Sequence, residues 1–298
     1  MEKLKKGQRV IHTSRPNWGL GQLLEDENGG GIRLFFVDKN DHNMDSGVVN
    51  LGVAARDKLR VVTGAEAHSP WLDNLDPVDP EIRVPMAVSK KRFEEQFVGG
   101  FYGKRFHDEE RDYKDELVGI AHQLLAKDVL MPLMRAENYR QVCDQAKKLV
   151  SHSKNIQPSP FEKMAFADGL KKLTDAQPFA RSLFDFLHGD GDLEPRFNRF
   201  AQVLEQMDAD KWPIITTFRF FLFPVTDVFI KPLNLQSAAG ASRLGINYRP
   251  RLNWLTYHSV VKFYQILFTD LAASNAELKP RDMIDVQSFI WCIDPNSY

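Results

Sequence analysis

The apolar positions along the chain change their period near residue 90. Before it they fall into short β-rich runs: Gln8-Arg9-Val10-Ile11-His12, Leu20-Gly21-Gln22-Leu23-Leu24, Gly31-Ile32-Arg33-Leu34-Phe35-Phe36-Val37, Val48-Val49-Asn50-Leu51 and Lys58-Leu59-Arg60-Val61-Val62. The third run is set off by Asn28-Gly29-Gly30, a hairpin-type turn signal. Five short strands in about sixty residues cannot cover two flat sheet faces, so the pattern predicts a small closed barrel.

From Ser89 onward the period is helical. Phe93, Phe97 and Phe101 recur every four residues. Leu117, Ile120, Ala121, Leu124 and Leu125 make one apolar face, and Tyr139, Val142, Cys143, Ala146, Leu149 and Val150 make another. Ser159-Pro160-Phe161-Glu162 carries a capping serine, a first-turn proline and a glutamate placed to bond back. Further stripes follow at Phe179-Leu183-Phe186-Leu187, at Phe197-Phe200-Ala201-Leu204-Met207 and at Val260-Tyr264-Leu267-Phe268-Leu271. The pattern predicts roughly eight or nine helices and no strand after residue 90. Between the two regions Pro70, Pro77, Pro80 and Pro85 interrupt any helix, while Trp71 and Leu72 are poor residues to leave in water. The expected fold is α+β. A small N-terminal β-barrel spans 1–62, a Pro-rich linker 63–88 and a larger all-α domain 89–298.

Composition narrows the class. Of 298 residues, 43% are hydrophobic and 27% charged, which excludes a disordered chain. Lys plus Arg is 39 and Asp plus Glu is 40, a net charge of -1. That excludes a globally basic nucleic-acid coater and leaves room for a local basic face. No uninterrupted apolar run reaches the roughly 18 residues of a membrane helix. The opening Met1-Glu2-Lys3-Leu4-Lys5-Lys6 has no apolar core behind it, unlike a secretory signal. Cys143 and Cys292 are too few for a disulfide framework or a four-thiolate metal site. The expectation is a cytoplasmic protein with no membrane partner.

The segment Lys6-Gly7-Gln8-Arg9-Val10-Ile11-His12-Thr13-Ser14-Arg15-Pro16-Asn17-Trp18-Gly19-Leu20-Gly21-Gln22 resembles the small Tudor/SH3-like barrels of bacterial transcription and repair proteins. These include the C-terminal barrel of UvrD/PcrA-type helicases and the polymerase-binding module of CarD-like regulators. Gly7, Val10 and His12 match the first half of their shared cue, and Gly19, Gly21 and Leu23 the second. The insertion Ser14-Arg15-Pro16-Asn17-Trp18 is closer to stand-alone bacterial barrels of uncharacterised role. The resemblance implies a barrel that docks on a partner. Phe97-Val98-Gly99-Gly100-Phe101, Glu110-Arg111-Asp112-Tyr113-Lys114, Phe229-Ile230-Lys231-Pro232 and the run from Arg281 to Trp291 resemble blocks of uncharacterised bacterial proteins, which implies a real domain and no particular activity.

The most distinctive chemistry lies in 211–262. Seven basic residues stand there against one acid, Asp227, among many aromatics. Cations interleaved with aromatic platforms suit single-stranded nucleic acid. The competing reading, favoured for Phe218 to Phe229, is a buried core with a solvated cationic face. The expected contacts are Lys231, Arg243, Arg249 and Arg251, with Trp254 and Tyr257 as a stacking surface. In the barrel, Arg15 and Trp18 fall on a turn; Trp18 is either exposed at the rim or folded back as a plug. Asp282 and Asp285, with Glu109, Glu110 and Lys114, invite a metal site, yet the two aspartates sit where a helix cap and first turn belong. Capping is the better explanation. No His-x-x-x-His pair, Gly-x-Ser-x-Gly elbow or Walker loop occurs. Cys143 lies on an apolar face and is expected to pack. Gly189-Asp190-Gly191-Asp192 lacks the glutamate that would close a calcium loop.

These features predict a non-catalytic adaptor or regulator tied to DNA transactions such as transcription, repair or phage defence. It would bind a protein partner, admit nucleic acid as a second ligand, and use no cofactor and no metal. The alternative is a nucleic-acid-processing enzyme with a metal-dependent site near Lys231, Asp282 and Asp285.

Overall fold

The computed structural model describes residues 3–36, 48–68, 72, 86–153, 158–242 and 246–292. The chain divides into two compact units. One comprises Met1–Ser89 with Gln236–Asn247, the other Lys90–Leu235 with Tyr248–Tyr298. A short segment from late in the chain thus groups with the N-terminal unit.

The N-terminal unit is a five-stranded antiparallel sheet: β1 (Arg9–His12), β2 (Leu20–Leu23), β3 (Ile32–Phe36), β4 (Val48–Leu51) and β5 (Leu59–Val62). The strand order is β4-β3-β2-β1-β5, a meander whose last strand returns to the first. Registers Val10↔Gly21 and His12↔Leu59 place β1 between β2 and β5. A 3-10 turn, Val53–Lys58, joins β4 to β5, and another, Pro16–Trp18, joins β1 to β2. Alternation along β1 and β3 sends Val10, Ile32, Leu34 and Phe36 inward, where they pack with Leu4, Trp18, Leu23 and Leu59. Gly21 is required by that packing: a Cβ there would stand 2.5 Å from the Phe36 ring. Of the Pro-rich stretch, Gly64–Ala67 is a 3-10 turn and Leu72 is buried; Trp71 and the four prolines lie outside the described residues.

The second unit is helical, and two helices of the series run across the division, α1 beginning in the first unit and most of α10 lying in it: α1 (Met86–Gln96), α2 (Lys104–Phe106), α3 (Asp112–Leu125), α4 (Lys127–Arg135), α5 (Tyr139–His152), α6 (Pro160–Lys172), α7 (Gln177–His188), α8 (Leu193–Gln206), α9 (Trp212–Leu222), α10 (Pro232–Ser242), α11 (Trp254–Ser274) and α12 (Met283–Cys292). Among the described residues no strand follows residue 90. The chain is therefore α+β. The α6 start is the capping box the sequence indicated, Ser159 accepting from the Glu162 amide while Glu162 accepts from the Ser159 amide. The phenylalanine stripe closes into a ring cluster, Phe93 lying 5.1 Å from Phe97, 5.0 Å from Phe101 and 5.4 Å from Phe289. Cys143 is buried, and burial pushes its thiol up to about 11.

The stretch Lys104–Arg135 holds an 18-residue window of mean hydropathy 1.3, long and apolar enough by composition to cross a membrane. It is not one unbroken helix: α3 ends at Leu125, Ala126 adopts ψ 153, and α4 begins at Lys127. Leu117, Ala121, Leu125 and Leu130 are buried, while the window as a whole is 22% buried.

Candidate functional site

Three sequence blocks far apart in the chain meet in the helical unit. Between α2 and α3 the residues His107–Arg111 form a π-helical turn, closed by the Asp112 amide on the His107 carbonyl. One extra residue per turn rotates the following side chains, and such turns recur at functional sites. Here Glu110, Arg111 and Lys114 are buried, at 4%, 7% and 1% exposure. Each meets a partner from the start of α12 or from its own helix.

The Arg111 guanidinium donates to both Asp282 oxygens at 2.8 Å, to Asp285 Oδ1 at 3.1 Å and to Asp115 at 2.9 Å. Burial opposes its charge. The hydrogen bonds of Asp282 and Asp115 and the charges of Asp285 and Asp282 outweigh that, so its affinity for the proton rises. Asp285 is fully buried and also accepts from the Arg281 amide at 2.8 Å and the Arg281 Nε at 2.9 Å. Asp282 Oδ1 further accepts from the Ile284 amide at 2.9 Å, the contact of a capping aspartate. The Lys114 ammonium donates to Glu110 at 2.9 Å, Gln287 at 2.7 Å and Ser288 at 2.6 Å, which uses its three protons.

Arg281 extends the network outward. Its Nη1 donates to His107 Nε2 at 3.0 Å, so His107 carries its proton on Nδ1 and donates to Asp112, also at 3.0 Å. Its Nη2 donates to the Phe101 carbonyl at 2.9 Å, and its guanidinium lies 5.3 Å from the Tyr102 ring. Arg281 thereby braces the loop of residues 97–103. Gly99 and Gly100 both take positive φ there, and a Cβ on Gly100 would stand 2.2 Å from the Glu277 carbonyl oxygen. The Phe101 amide donates to that same carbonyl at 2.9 Å. The loop so fixed turns Val98 outward, at 81% exposure.

The metal reading meets its answer in these partners. Asp282 and Asp285 are spent on two guanidiniums and on amides, and Glu110 on an ammonium. Among the described residues no group of three or more His, Cys, Asp or Glu is placed to hold a metal ion. Glu109 pairs outward with Arg105 at 2.8 Å.

The basic segment is dispersed rather than gathered. Phe218, Phe220, Phe221 and Phe229 are core. Arg219 turns inward and pairs with Asp227 at 2.7 Å and 3.0 Å, and the Tyr257 hydroxyl donates to Asp227 as well. Tyr257 is therefore not a stacking surface. It is 2% exposed, and burial and then the Asp227 charge push its hydroxyl well above the usual value. Trp254 is half-buried against Phe197 and Tyr257. Lys231 sits 3.9 Å over the Trp291 ring. Arg251 is exposed and pairs with Glu205 at 2.8 Å, and Lys211 lies 3.6 Å from Asp210. Arg249 is exposed, its carbonyl accepting from Trp212 Nε1 at 2.8 Å; Arg243 lies outside the described residues. Two cations of 211–262, Arg251 and Lys211, are thus met by acids from outside the segment. Arg251, Glu205, Asp210 and Gln202 line a surface hollow of about 310 Å³ with both signs of charge.

In the N-terminal unit Trp18 is folded back rather than exposed: it is 7% exposed and packs 5.0 Å from His12 and 5.2 Å from Phe36. Arg15 is exposed, its guanidinium 4.5 Å from the Trp18 ring centroid.

Sequence reasoning set Glu109, Glu110, Lys114, Asp282 and Asp285 together but missed that Arg111 and Arg281 hold the two aspartates. One signal was present. Lys114 falls on the stripe of Leu117, Ala121 and Leu125, so a cation stands where a core residue is expected. No protein-family description, curated protein or solved structure matches the chain.

Proposed function

We propose that this chain is a non-catalytic adaptor that binds a protein partner, acting in DNA transactions such as transcription, repair or phage defence. The observation that carries the protein-binding part is the loop of residues 97–103. Hydrogen bonds of Phe101 with Arg281 and with the Glu277 carbonyl tie it down, and it keeps Val98 81% exposed. Burying Val98 against a partner would remove its apolar surface from water, and a loop already tied down loses little further freedom on binding. The pairing of Asp282 and Asp285 with arginines speaks against the metal-dependent enzyme.

The link to DNA transactions rests on the resemblance of residues 6–22 to Tudor/SH3-like barrels. The sheet order and the 3-10 turn before β5 support the barrel reading, because a meander whose fifth strand pairs with its first can curl into one.

The test is capture of partners from a lysate of the source organism by tagged full-length chain, with and without nuclease. The expected result is a protein partner retained after nuclease and lost with a Val98→Asp variant that melts like wild type. Retention that disappears with nuclease would assign the contact to nucleic acid instead.

A further inference from the structure

The end of the N-terminal sheet where β1 meets β5 carries two cations without acids. Arg15 and Lys58 are both exposed, and neither has an acid partner among the described residues. Both are held in place. The Arg15 guanidinium lies over the Trp18 ring at 4.5 Å, which occupies its face and leaves its N–H edge outward. The Lys58 backbone is pinned through its carbonyl, which accepts from the Thr13 amide at 2.8 Å and the Thr13 hydroxyl at 3.0 Å. The Arg15 amide in turn donates to the His12 carbonyl at 3.0 Å.

Between them sits His12, 4% exposed, whose Nδ1 has no hydrogen-bond partner among the described residues. Burial, then the Arg15 charge and, less strongly, Lys58, hold its proton affinity below the ordinary value. The two cations form a positive spot that lacks an anion and disfavours a proton on the imidazole beneath it. We infer that Arg15 and Lys58 form a docking site for carboxylates of an acidic segment on a protein partner. This rests on the adaptor reading and names its partner's chemistry.

Two anions of different source fit a pair of cations: protein carboxylates and a nucleic-acid backbone. The surroundings favour the first. A phosphate backbone carries charge at every 3.4 Å of each strand and needs a continuous basic track. Here the exposed Asp57 adjoins Lys58, Arg60 is already paired with Glu66, and Arg56 lies 3.5 Å from Glu27. A running phosphate strand would meet these acids. A short acidic segment can set its carboxylates against Arg15 and Lys58 alone, with guanidinium geometry suited to a planar carboxylate.

The experiment uses the full chain and a fluorescein-labelled hexaglutamate peptide, read by fluorescence anisotropy at low salt. Wild type is expected to bind. An Arg15→Glu/Lys58→Glu variant that melts like wild type is expected to bind at least about tenfold more weakly. An Arg15→Gln/Lys58→Gln variant carries the comparison should the charge reversal fail to fold. No binding by wild type, or equal binding by the folded variants, overturns the site. So does tighter binding of a labelled oligonucleotide that the same variants abolish, which would make the rim a phosphate reader. If nuclease-resistant capture of a protein survives while hexaglutamate fails, the rim assignment falls and the adaptor stands. If capture itself fails, the adaptor reading falls.

Discussion

Arg111 and Asp282, 171 positions apart, face each other with two parallel hydrogen bonds of 2.8 Å. This bidentate pair is buried, and it joins the π-helical turn to the start of α12. Breaking a buried pair from one side strands the other charge, at a cost of about 3–5 kcal/mol. Arg111→Met should therefore lower unfolding free energy by about that amount in urea titration. Asp282→Ala should cost more than a lost cap alone, whose usual range is about 0.5–2 kcal/mol. Magnesium and EDTA should leave the melting temperature of the wild type unchanged. A metal-dependent rise abolished by Asp285→Ala would contradict the ionic-lock account.

Asp227 is the acceptor for Arg219, Tyr257 and Thr226, all within hydrogen-bond reach. Asp227→Asn should destabilise by about 3–5 kcal/mol because it leaves Arg219 without its counter-charge. Tyr257→Phe should cost about 1–3 kcal/mol, the range for one buried hydrogen bond left half-made. Equal effects of the two changes in chemical denaturation would argue against the charge being the larger factor.

Glycine positions of this structure divide by what a methyl group would meet. Gly100 has φ +56 and the Glu277 carbonyl 2.2 Å from an added Cβ, and Gly103 has the Val98 carbonyl at 2.1 Å. Gly100→Ala should lower stability by at least about 1–3 kcal/mol through strain and displacement of the loop. Gly119 in α3 has open space around it, so Gly119→Ala should stabilise by about 0.5–1 kcal/mol. Thermal melts of the two variants should move in opposite directions.

His12, His188 and His258 all have proton affinities lowered, each chiefly by burial. In the unfolded chain each returns to the ordinary value near 6.5. Above that pH both states are neutral and these groups contribute no pH dependence. As pH falls below it, the unfolded state takes up protons that the folded state refuses, so stability declines with acid. Urea midpoints measured between about pH 7.5 and 5 should fall, and His12→Phe should flatten part of the slope.

Much of the architecture was legible along the chain because its signals are local. Strand alternation, the Asn28-Gly29-Gly30 turn and the Ser159–Glu162 box depend on neighbours within a few residues, and the structure places strands, a turn and a helix start there. Four phenylalanines of the Phe218 to Phe229 run, Phe218, Phe220, Phe221 and Phe229, behaved as apolar density suggests, by burying. Trp18 was undecidable on the same grounds: a tryptophan on a turn can face either way, and only the ring pocket of His12 and Phe36 draws it in. Charge pairing in the basic segment was hidden for a related reason. Counting charges in 211–262 omits Glu205 and Asp210, which lie just outside the window and neutralise Arg251 and Lys211.

By itself, then, the order of residues determined the change from β to α near residue 90, the helix caps and which faces are apolar, since periodicity and capping act over one or two turns. Tertiary structure decided which charges pair. Asp282 reads as a cap in sequence and is one, yet its partner Arg111 comes from a distant helical turn. Coulomb attraction and desolvation depend on distance and burial in space, and neither quantity is written in sequence separation. The same holds for Arg15 and Lys58, which only the pairing of β1 with β5 brings to one end of the sheet.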